Sequence, residues 1–430
     1  MTAVADPRVV PETRQAPTDS SRAENPIAAR FVGRKYVQLV LVLGALSAIG
    51  PLTIDTYLPA LPELSAQLNA TDAQAQMTIT GLLIGLGFGQ LIIGPLSDAV
   101  GRRKPLLYGL AAHGLTSVLC ALAPSVTLLT VTRTLQGLAG AAVAVVAMAI
   151  VRDLFSGYRA AQLLSRLILV LGVAPILAPS LGSALLEVTS WQGIFVVLAV
   201  VAVLLFVLAL VALPETLPVA RRRPARLKSS LRAYATLFSD RLFVLMVGVA
   251  GLMFATLFAY ISGSPFVLQE LYSLTPQQFG LAFSANAVGL ILMTQLNPLF
   301  VKRWGPARVL FVAVMISVAA AVALLVVAAT DAGGLVGLMI PLWFVVASVG
   351  LSFPNAPAIA LNRHGESAGT ASAMLGAAQF MIGGFVAPLV GALADGTAVP
   401  MAAVMLGTTG LAAILMLLAR RRLNADDFAD

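Results

Sequence analysis

Charged residues are scarce in this chain. Of its 430 residues only 11% are Asp, Glu, Lys or Arg, whereas 59% are hydrophobic and the mean hydropathy is +0.93. A soluble globular domain carries about 25% charged residues, so this chain could not cover its own surface in water. Lipid accepts an apolar surface. The composition therefore excludes a soluble multi-domain enzyme and predicts a membrane protein.

Cysteine and histidine are almost absent. The single cysteine, Cys120, lies in an apolar run, which excludes a disulfide framework and a cysteine metal cluster. The two histidines, His113 and His364, cannot make a zinc site between them. The chain also lacks a Gly-x-x-x-x-Gly-Lys-[Ser/Thr] phosphate loop, which excludes an ATP-driven pump of the ABC type. We expect no enzyme activity, no metal and no bound cofactor.

Apolar stretches long enough to cross about 30 Å of hydrocarbon recur from residue 37 to residue 419. They are rich in Gly, Ala and Pro, as packed membrane helices are. The pattern predicts an all-α integral membrane protein with twelve transmembrane helices. The predicted spans are 37–59, 76–96, 105–123, 127–150, 164–186, 193–213, 243–267, 279–300, 307–329, 335–360, 370–393 and 399–419.

Lysine and arginine occupy alternate gaps between these spans. Of the 27 basic residues, 26 lie in the N-terminal tail, at 102–104, 152–166, 221–241 and 302–308, at Arg363 and at 420–422. The intervening gaps contain acidic residues and no Lys or Arg. By the positive-inside rule both termini are cytoplasmic, and we expect the bacterial cytoplasmic membrane. The net charge of +8 then marks the cytoplasmic face and not a nucleic-acid surface.

The chain repeats itself at an offset of roughly 205 residues. Three weak matches each pair span n with span n+6, which predicts two pseudo-symmetric six-helix bundles with a site between them. We expect a disordered cytoplasmic tail at 1–36, an N-terminal half at 37–213, a cytoplasmic linker at 214–241, a C-terminal half at 242–420 and a tail at 421–430. The matches are Ala178–Leu185 with Ala387–Leu393, Pro95–Leu96 with Pro298–Leu299, and Ile54–Asp55 with Ile261–Ser262.

Segment 94–104, between spans 2 and 3, reads GPLSDAVGRRK. It resembles the signature G-x-L-a-D-r-x-G-R-[RK] of the major facilitator superfamily, with Ala99 in place of the basic residue. Glycines permit a tight turn, and Asp98 can accept hydrogen bonds from Arg102 or from helix N-terminal amides of the other half. A purely topogenic basic turn would explain only the arginines. We expect a conformational latch made by Gly94, Asp98, Gly101, Arg102 and Arg103.

Arg133 is the one basic residue outside the alternate gaps. It begins segment 133–142, RTLQGLAGAA, which resembles the superfamily's R-x-x-q-G-x-g-a-a motif, a motif that recurs in proton-driven exporters. Burying an arginine in a membrane costs about 2.5–3.5 kcal/mol or more, so we expect it to have a partner. Gln136, Gly137 and Gly140 follow on the same helix face.

Asp55 is the only carboxylate well inside a predicted span, at a depth similar to that of Arg133. Desolvation favours its neutral form and a nearby guanidinium favours its charged form, so it is placed to exchange protons. The alternative is a static ion pair with Arg133. Intramembrane carboxylates usually mark pathways, and the repeat puts neutral Ser262 at the matching position. We therefore expect proton coupling by Asp55 and Arg133, with His113 as the other candidate carrier.

Two further stretches, IDTYLPALP at 54–62 and VRDLF at 151–155, resemble the bicyclomycin and chloramphenicol resistance (Bcr/CflA) branch of the twelve-span drug:proton antiporters. Span 5 resembles the antiporter motif g-x-x-x-G-P-x-x-G-G, although Ala174, Ala178 and Ser183 replace glycines. The resemblance implies a kinked packing face formed by Pro175, Pro179 and Gly182. Ordinary small-residue packing is the alternative.

The resemblance covers about residues 36–420 and implies a proton-coupled multidrug exporter that works by alternating access. The partners are then a small amphiphilic or neutral drug, protons and lipid, and the unit is a monomer. The alternative is a proton-coupled exporter of a sugar or amino acid, which predicts a narrow polar cavity. Residues that could line a substrate cavity, or merely pack helices, are Tyr57, Gln136, Phe258, Tyr260, Ser262, Asn286, Asn355 and Gln379.

Overall fold

The computed structural model describes residues 31, 33–155, 157–222, 234–362, 364 and 368–420. Every regular element in these ranges is helical. Most of the predicted tail at 1–36, the middle of the predicted linker at 214–241 and the whole predicted tail at 421–430 lie outside the described residues. The predicted domain boundaries stay predictions.

Long helices follow one another along the chain, joined by short turns. The shorter elements are 3₁₀ turns at Leu58–Ala60 and Val219–Arg221 and a π-helical turn at Phe266–Leu271. The helices are α1 (Arg34–Asp55), α2 (Leu61–Gln67), α3 (Asp72–Val100), α4 (Arg103–Ala121), α5 (Val126–Leu154), α6 (Gly157–Leu186), α7 (Trp191–Ala212), α8 (Arg241–Pro265), α9 (Pro276–Thr330), α10 (Gly334–Asn362), α11 (Ala368–Ala392) and α12 (Val399–Arg420).

Nine helices within the described ranges are long and apolar enough to cross a membrane. One of them, α9, contains 55 residues and is interrupted at Gly305, whose φ of 71° is not helical. The prediction of an all-helical membrane protein is confirmed. The count of twelve crossings stays a prediction.

The first predicted span differs from the structure at its end. α1 stops at Asp55, four residues before the predicted end at residue 59. Pro59 and Pro62 follow, and a proline disfavours helical geometry in the residue before it and cannot donate a backbone hydrogen bond. The chain therefore turns through Leu58–Ala60 into α2, and Asp55 lies at a helix end.

The same start signal occurs at two equivalent helices. α3 begins with a capping box in which the Thr71 side chain accepts from the Gln74 backbone N–H while the Gln74 side chain accepts from the Thr71 backbone N–H. α9 begins with the same box, made by Thr275 and Gln278. The two boxes lie 204 residues apart, which agrees with the internal repeat.

Helices pack mainly within two groups. In the first group α3 packs on α5, α4 on α5 and α7, and α1 on α6; in the second, α8 packs on α11 and α12, and α9 on α10 and α12. The large contacts between the groups are α3 with α11 and α6 with α9. The internal repeat relates these two contacts to each other, because α3 corresponds to the first part of α9 and α6 corresponds to α11.

The buried apolar side chains divide by face. We call the ends of the helices near residues 101, 155, 213–222, 240 and 305 the basic face, and the ends near 56–71, 122–125, 187–190, 272–275, 331–333 and 393–398 the acidic face. Toward the acidic face one apolar cluster joins both groups, whereas toward the basic face each group has its own cluster. The groups are therefore held together at the acidic face.

Candidate functional site

Asp55 lies where the two groups of helices meet. The residue is only 4% exposed, and within the described part of the chain its carboxyl has neither a hydrogen bond nor an ion pair. The turn that follows it contacts the second group, because Nε2 of Gln269 donates to the carbonyl oxygen of Pro59 over 3.3 Å. A carboxyl in low dielectric without a partner is costly as an anion, so this group is placed to gain and lose a proton.

Arg133 is fully buried in α5, but its partners are not acidic. Its Nη1 donates to the carbonyl oxygen of Thr53 over 3.1 Å and to Oε1 of Gln136 over 2.8 Å. The guanidinium also lies over the rings of Tyr57, at 4.8 Å, and Phe195, at 5.5 Å. Contacts with ring faces and a helix C-terminal carbonyl both favour a cation. The static ion pair with Asp55, the alternative considered from the sequence, is absent from the described residues.

A hydrogen-bonded network continues from Arg133 into α4. Gln136 donates from Nε2 to Oγ of Ser117 over 2.7 Å, and the Nε2 atom of His113 lies 3.1 Å from Oγ1 of Thr53. This network ties the last turn of α1 to α4 and α5. His113 is thus a buried partner of Thr53.

The predicted latch residues meet at the basic face. Arg102 contacts Oδ1 of Asp98 at 2.6 Å and Oδ2 of Asp153 at 2.7 Å, and its Nη1 donates to Oγ of Ser97 over 2.7 Å. The Arg102 side chain is 8% exposed and that of Asp98 is 48% exposed. The predicted Asp98–Arg102 contact is present. Among the described residues, Asp98 accepts no hydrogen bond from helix N-terminal amides of the other half.

Glu215 completes this cluster from beyond α7. Its carboxylate accepts hydrogen bonds from the backbone N–H of Arg102 over 2.8 Å and of Arg103 over 3.2 Å. An anion at the N-terminus of α4 is favoured by the helix dipole. Gly94 precedes the cluster in α3, and Gly101 has a φ of 100°, which favours glycine. The sequence interpretation missed Glu215 and Asp153, since their distance along the chain gave no sign of contact.

The prolines and glycine of the antiporter-like motif lie in α6, which packs on both α1 and α9. Pro175 and Pro179 are inside the helix. Gly182 sits against the backbone carbonyl of Thr56, where a Cβ would clash. The next residue, Ser183, donates to the carbonyl of Pro276 over 2.7 Å. α6 is therefore a close-packed element between α1 and the second group of helices.

A cavity of about 540 Å³ lies between the two groups at the basic face. None of the residues predicted to line a substrate cavity borders it, and their role in substrate binding stays a prediction. The sequence analysis did not identify Gln90 as a cavity residue, although a polar side chain inside an apolar span indicates a possible functional position. Among the lining residues are Gln90, Asp98, Arg102, Met148, Arg152, Tyr234, Thr370 and Ser372.

Several of the predicted lining residues hold helices together. Ser262 donates to the carbonyl of Ala387 over 3.1 Å, and Asn355 donates to Oδ1 of Asn297 over 2.6 Å. Gln379 is half-buried. These contacts are those of helix packing, the alternative already stated for each of them.

Tyr260, Asn286 and Phe258 are all buried in the second group of helices. Asn286 donates from Nδ2 to the Tyr260 hydroxyl over 3.2 Å. The Tyr260 ring stacks on Phe283 with 5.1 Å between centroids, and Phe258 packs on Phe254 at 4.8 Å.

The acidic face is closed by hydrogen bonds between the groups. Gln76 of α3 accepts from the backbone N–H of Gly391 in α11 over 2.8 Å. Gln277 of α9 donates to Glu187, after α6, over 2.8 Å. Together with the bond from Ser183 to Pro276, these bonds link α3 to α11 and α6 to α9, the two helix pairs that the internal repeat relates. The structure is thus closed at the acidic face and has its cavity at the basic face, an arrangement suited to a transporter with alternating access.

Comparison with known proteins agrees with this architecture. The Major Facilitator Superfamily model matches residues 43–388. The chain is 37% identical over 382 residues to the uncharacterized MFS-type transporter YdgK of Bacillus subtilis (strain 168), with 87% of this chain and 94% of that protein covered. It is 32% identical over 380 residues to a bicyclomycin resistance protein homolog of Haemophilus influenzae, covering 88% and 94%. It is 30% identical over 335 residues to the multidrug resistance protein MdtL of Escherichia coli O157:H7, covering 78% and 83%.

Solved structures share the fold. The nucleoside transporter NupG aligns with a TM-score of 0.72 at 16% identity, over 91% of this chain and 100% of that one. A partially occluded, inward-open form of the xylose transporter XylE from E. coli aligns with a TM-score of 0.70 at 15% identity, over 90% and 98%. The chain belongs to the Major Facilitator Superfamily, and the resemblance to its Bcr/CflA branch is confirmed by the relatives.

Proposed function

We propose that this protein is a proton-coupled multidrug exporter of the bacterial cytoplasmic membrane that works as a single chain. Two of the relatives bear names that refer to resistance to bicyclomycin and to multiple drugs. The proposal includes twelve crossings. Gly305 divides α9 into two helical stretches, so the nine long apolar helices give ten crossings. α4 and α6, with 19 and 30 residues, give the other two.

The proposed orientation puts the basic face in the cytoplasm. Loops rich in Lys and Arg stay on that side of a bacterial membrane, and they alternate with acidic loops along this chain. The cavity beside Asp98 and Arg102 then opens inward, and the interface around Gln76 and Gly391 closes the outer side. In this orientation the structure corresponds to an inward-facing state.

The observation that carries the proposal is the unpaired, buried carboxyl of Asp55 between the two groups of helices. When the outer side opens, Asp55 takes up a proton and the drug-bound state is weakened, so drug leaves outward. After the return to the inward-facing state, Asp55 releases the proton toward the cytoplasm and drug binds again. The membrane potential contributes about 2.3 kcal/mol per elementary charge per 100 mV. The proton gradient is the energy source, so the cycle needs no cofactor.

Arg133 has a supporting role in this cycle. Its bonds to Thr53 and Gln136 fix the end of α1 while leaving Asp55 without a permanent counter-ion. A positive charge nearby still favours the deprotonated carboxyl, which makes proton release possible after each return. The Arg102 cluster stabilises one state of the basic face.

A second candidate is a proton-coupled exporter of a polar metabolite. It is favoured by the cavity itself, whose lining includes Gln90, Arg152, Thr370 and Ser372. Polar groups of this kind suit a hydroxyl-rich or zwitterionic solute. Competition between drugs and sugars or amino acids for uptake into everted vesicles separates the two candidates.

Asp55→Asn tests the proposal. In proteoliposomes with an imposed ΔpH, the wild type should accumulate a neutral drug such as chloramphenicol, and an uncoupler should abolish the accumulation. Asp55→Asn should lose uphill transport while retaining drug binding, because the amide keeps the shape of the side chain. Asp331→Asn, on the acidic face, is the matched control. Uphill transport by Asp55→Asn at the wild-type rate would contradict the assignment.

A further inference from the structure

The cavity at the basic face ends where α3 and α11 come together. Of the α3 residues that line it, Gln90 lies deepest, and the α11 residues that line it lie between positions 369 and 373. One turn further toward the acidic face the two helices touch, because a Cβ placed on Gly87 would lie 3.1 Å from the carbonyl oxygen of Ala377. Gln90 therefore lies at the floor of the cavity.

The Gln90 side chain lies against the backbone of α11. A Cβ placed on Gly376 would lie 3.2 Å from Cδ of Gln90 and would clash with its Oε1, so glycine leaves room for the amide in this position. Gln90 is half-buried, and its amide has no hydrogen bond within the part of the chain that the structure describes. A primary amide offers two donors and one acceptor. The packing thus holds a free amide at the floor of the cavity.

The walls of the cavity differ in polarity. α5 contributes apolar side chains, among them Val145 and Met148, whereas α11 contributes the hydroxyl groups of Thr370 and Ser372. Neither hydroxyl has a hydrogen bond in the described ranges. A cavity of about 540 Å³ with apolar walls and a few unpaired polar groups has the size and character of a small-molecule site.

The charged residues that line the cavity lie at its mouth. Asp98 and Arg152 are two residues from the ends of α3 and α5, and Arg102 follows α3. Gln90 is ten residues from the end of α3 at Val100, which is about 15 Å along a helix. A charged group that reached the floor would lose water without gaining a counter-ion from these residues, which is costly. The floor therefore suits a neutral group.

We propose that Gln90 is a substrate-binding residue, and that the floor of the cavity binds the neutral, hydrogen-bonding part of an amphiphilic solute. The Gln90 amide donates to a carbonyl or hydroxyl oxygen of the solute and accepts from its N–H or O–H. Thr370 and Ser372 bond the same polar part from the second group of helices, and the apolar part of the solute packs on α5. The proposal rests on the proposed function as a drug exporter and names the part of the drug that is recognised.

Equilibrium binding of radiolabelled chloramphenicol, which carries hydroxyl and amide groups, to the purified full-length protein is the test. Gln90→Ala should weaken binding about tenfold, as expected for the loss of one or two neutral hydrogen bonds. Gly376→Ala should weaken it as well without altering Gln90 itself, because the added methyl group displaces the amide. In proteoliposomes both variants should raise the KM for chloramphenicol and leave kcat unchanged.

Gln67→Ala is the matched control, because Gln67 is bonded to Glu63 and Trp191 at the acidic face and lies outside the cavity. It should bind chloramphenicol like the wild type. If the wild type neither binds nor transports chloramphenicol, the proposed function fails for this drug and the inference fails with it. If the wild type binds the drug and Gln90→Ala and Gly376→Ala bind it equally well, only the inference is overturned. Should Gln90→Ala not fold, wild-type affinity in Gly376→Ala is enough to overturn it.

Discussion

Arg133 donates a hydrogen bond from Nη1 to the carbonyl oxygen of Thr53 over 3.1 Å, two residues before Asp55 at the end of α1. The guanidinium therefore holds the backbone of α1 and not the carboxylate that follows. This arrangement fixes the end of α1 without closing an ion pair between Arg133 and Asp55 in the described structure. It fits a carboxyl that must release its proton in every cycle.

Arg133→Ala should destabilise the protein and raise the pH at which Asp55 releases its proton. The substitution leaves Thr53 and Gln136 with buried acceptors that have lost a donor, a loss of about 1–3 kcal/mol for each unsatisfied group. It also removes a charge that favours the carboxylate. Thermal unfolding in detergent and the pH midpoint of drug-induced proton release measure the two effects. Arg303→Ala, at an exposed arginine over Trp304, is the control. A wild-type midpoint in Arg133→Ala would remove Arg133 from proton coupling.

Arg102→Ala should slow transport more than Asp98→Asn does. Arg102 contacts Asp98 and Asp153 and bonds to Ser97, whereas Asp98 is half exposed and is bonded to Arg102 alone among the described residues. Losing hydrogen bonds to charged groups, each worth about 1.5–3 kcal/mol, should reduce the transport rate about tenfold or more. Initial rates in proteoliposomes, normalised to inserted protein, give the comparison. Normal transport by both variants would eliminate the latch.

The proposed orientation predicts opposite labelling of the two faces in whole cells. With the buried Cys120 replaced by alanine, Ala332→Cys on the acidic face should react with a membrane-impermeant maleimide. Val219→Cys, at an exposed position on the basic face, should react only after lysis. Labelling of Val219→Cys from outside would reverse the orientation, and with it the direction of transport derived from the cavity.

Gln76→Ala should open the acidic face. Gln76 is 1% exposed, and its Oε1 accepts from the backbone N–H of Gly391 across the interface. Loss of about 1 kcal/mol from the closed state raises the ratio of open to closed molecules about fivefold. Spin labels at Ala66→Cys and Ala332→Cys, in a Cys120→Ala background, would report this ratio as a distance distribution.

Gln67→Ala is the matched control for that measurement. Gln67 lies near Gln76 in the chain but is bonded to Glu63 and Trp191, both in the first group of helices. Its loss should leave the distance distribution between the labels on the two groups of helices unchanged. Identical distributions for Gln76→Ala and wild type would mean that the bond to Gly391 does not hold the face closed.

The sequence by itself determined the class of the protein and the identity of the residues with unusual chemistry. A chain with 11% charged residues must be surrounded by lipid, and a carboxylate or arginine stands out in an apolar span because burying it is costly. The turn at Gly101 could also be predicted, since its motif is local and its backbone conformation favours glycine.

Only the tertiary structure decided which of these residues meet. Arg133 turns to Thr53 and Gln136, the Arg102 side chain reaches Asp153, and the backbone N–H of Arg102 donates to Glu215. The physical reason is that such contacts depend on the rotation and depth of each helix against its neighbours. In spans that are apolar on nearly every side, hydrophobic periodicity does not reveal that rotation, so partners 51 or 113 residues apart become visible only when the helices are packed.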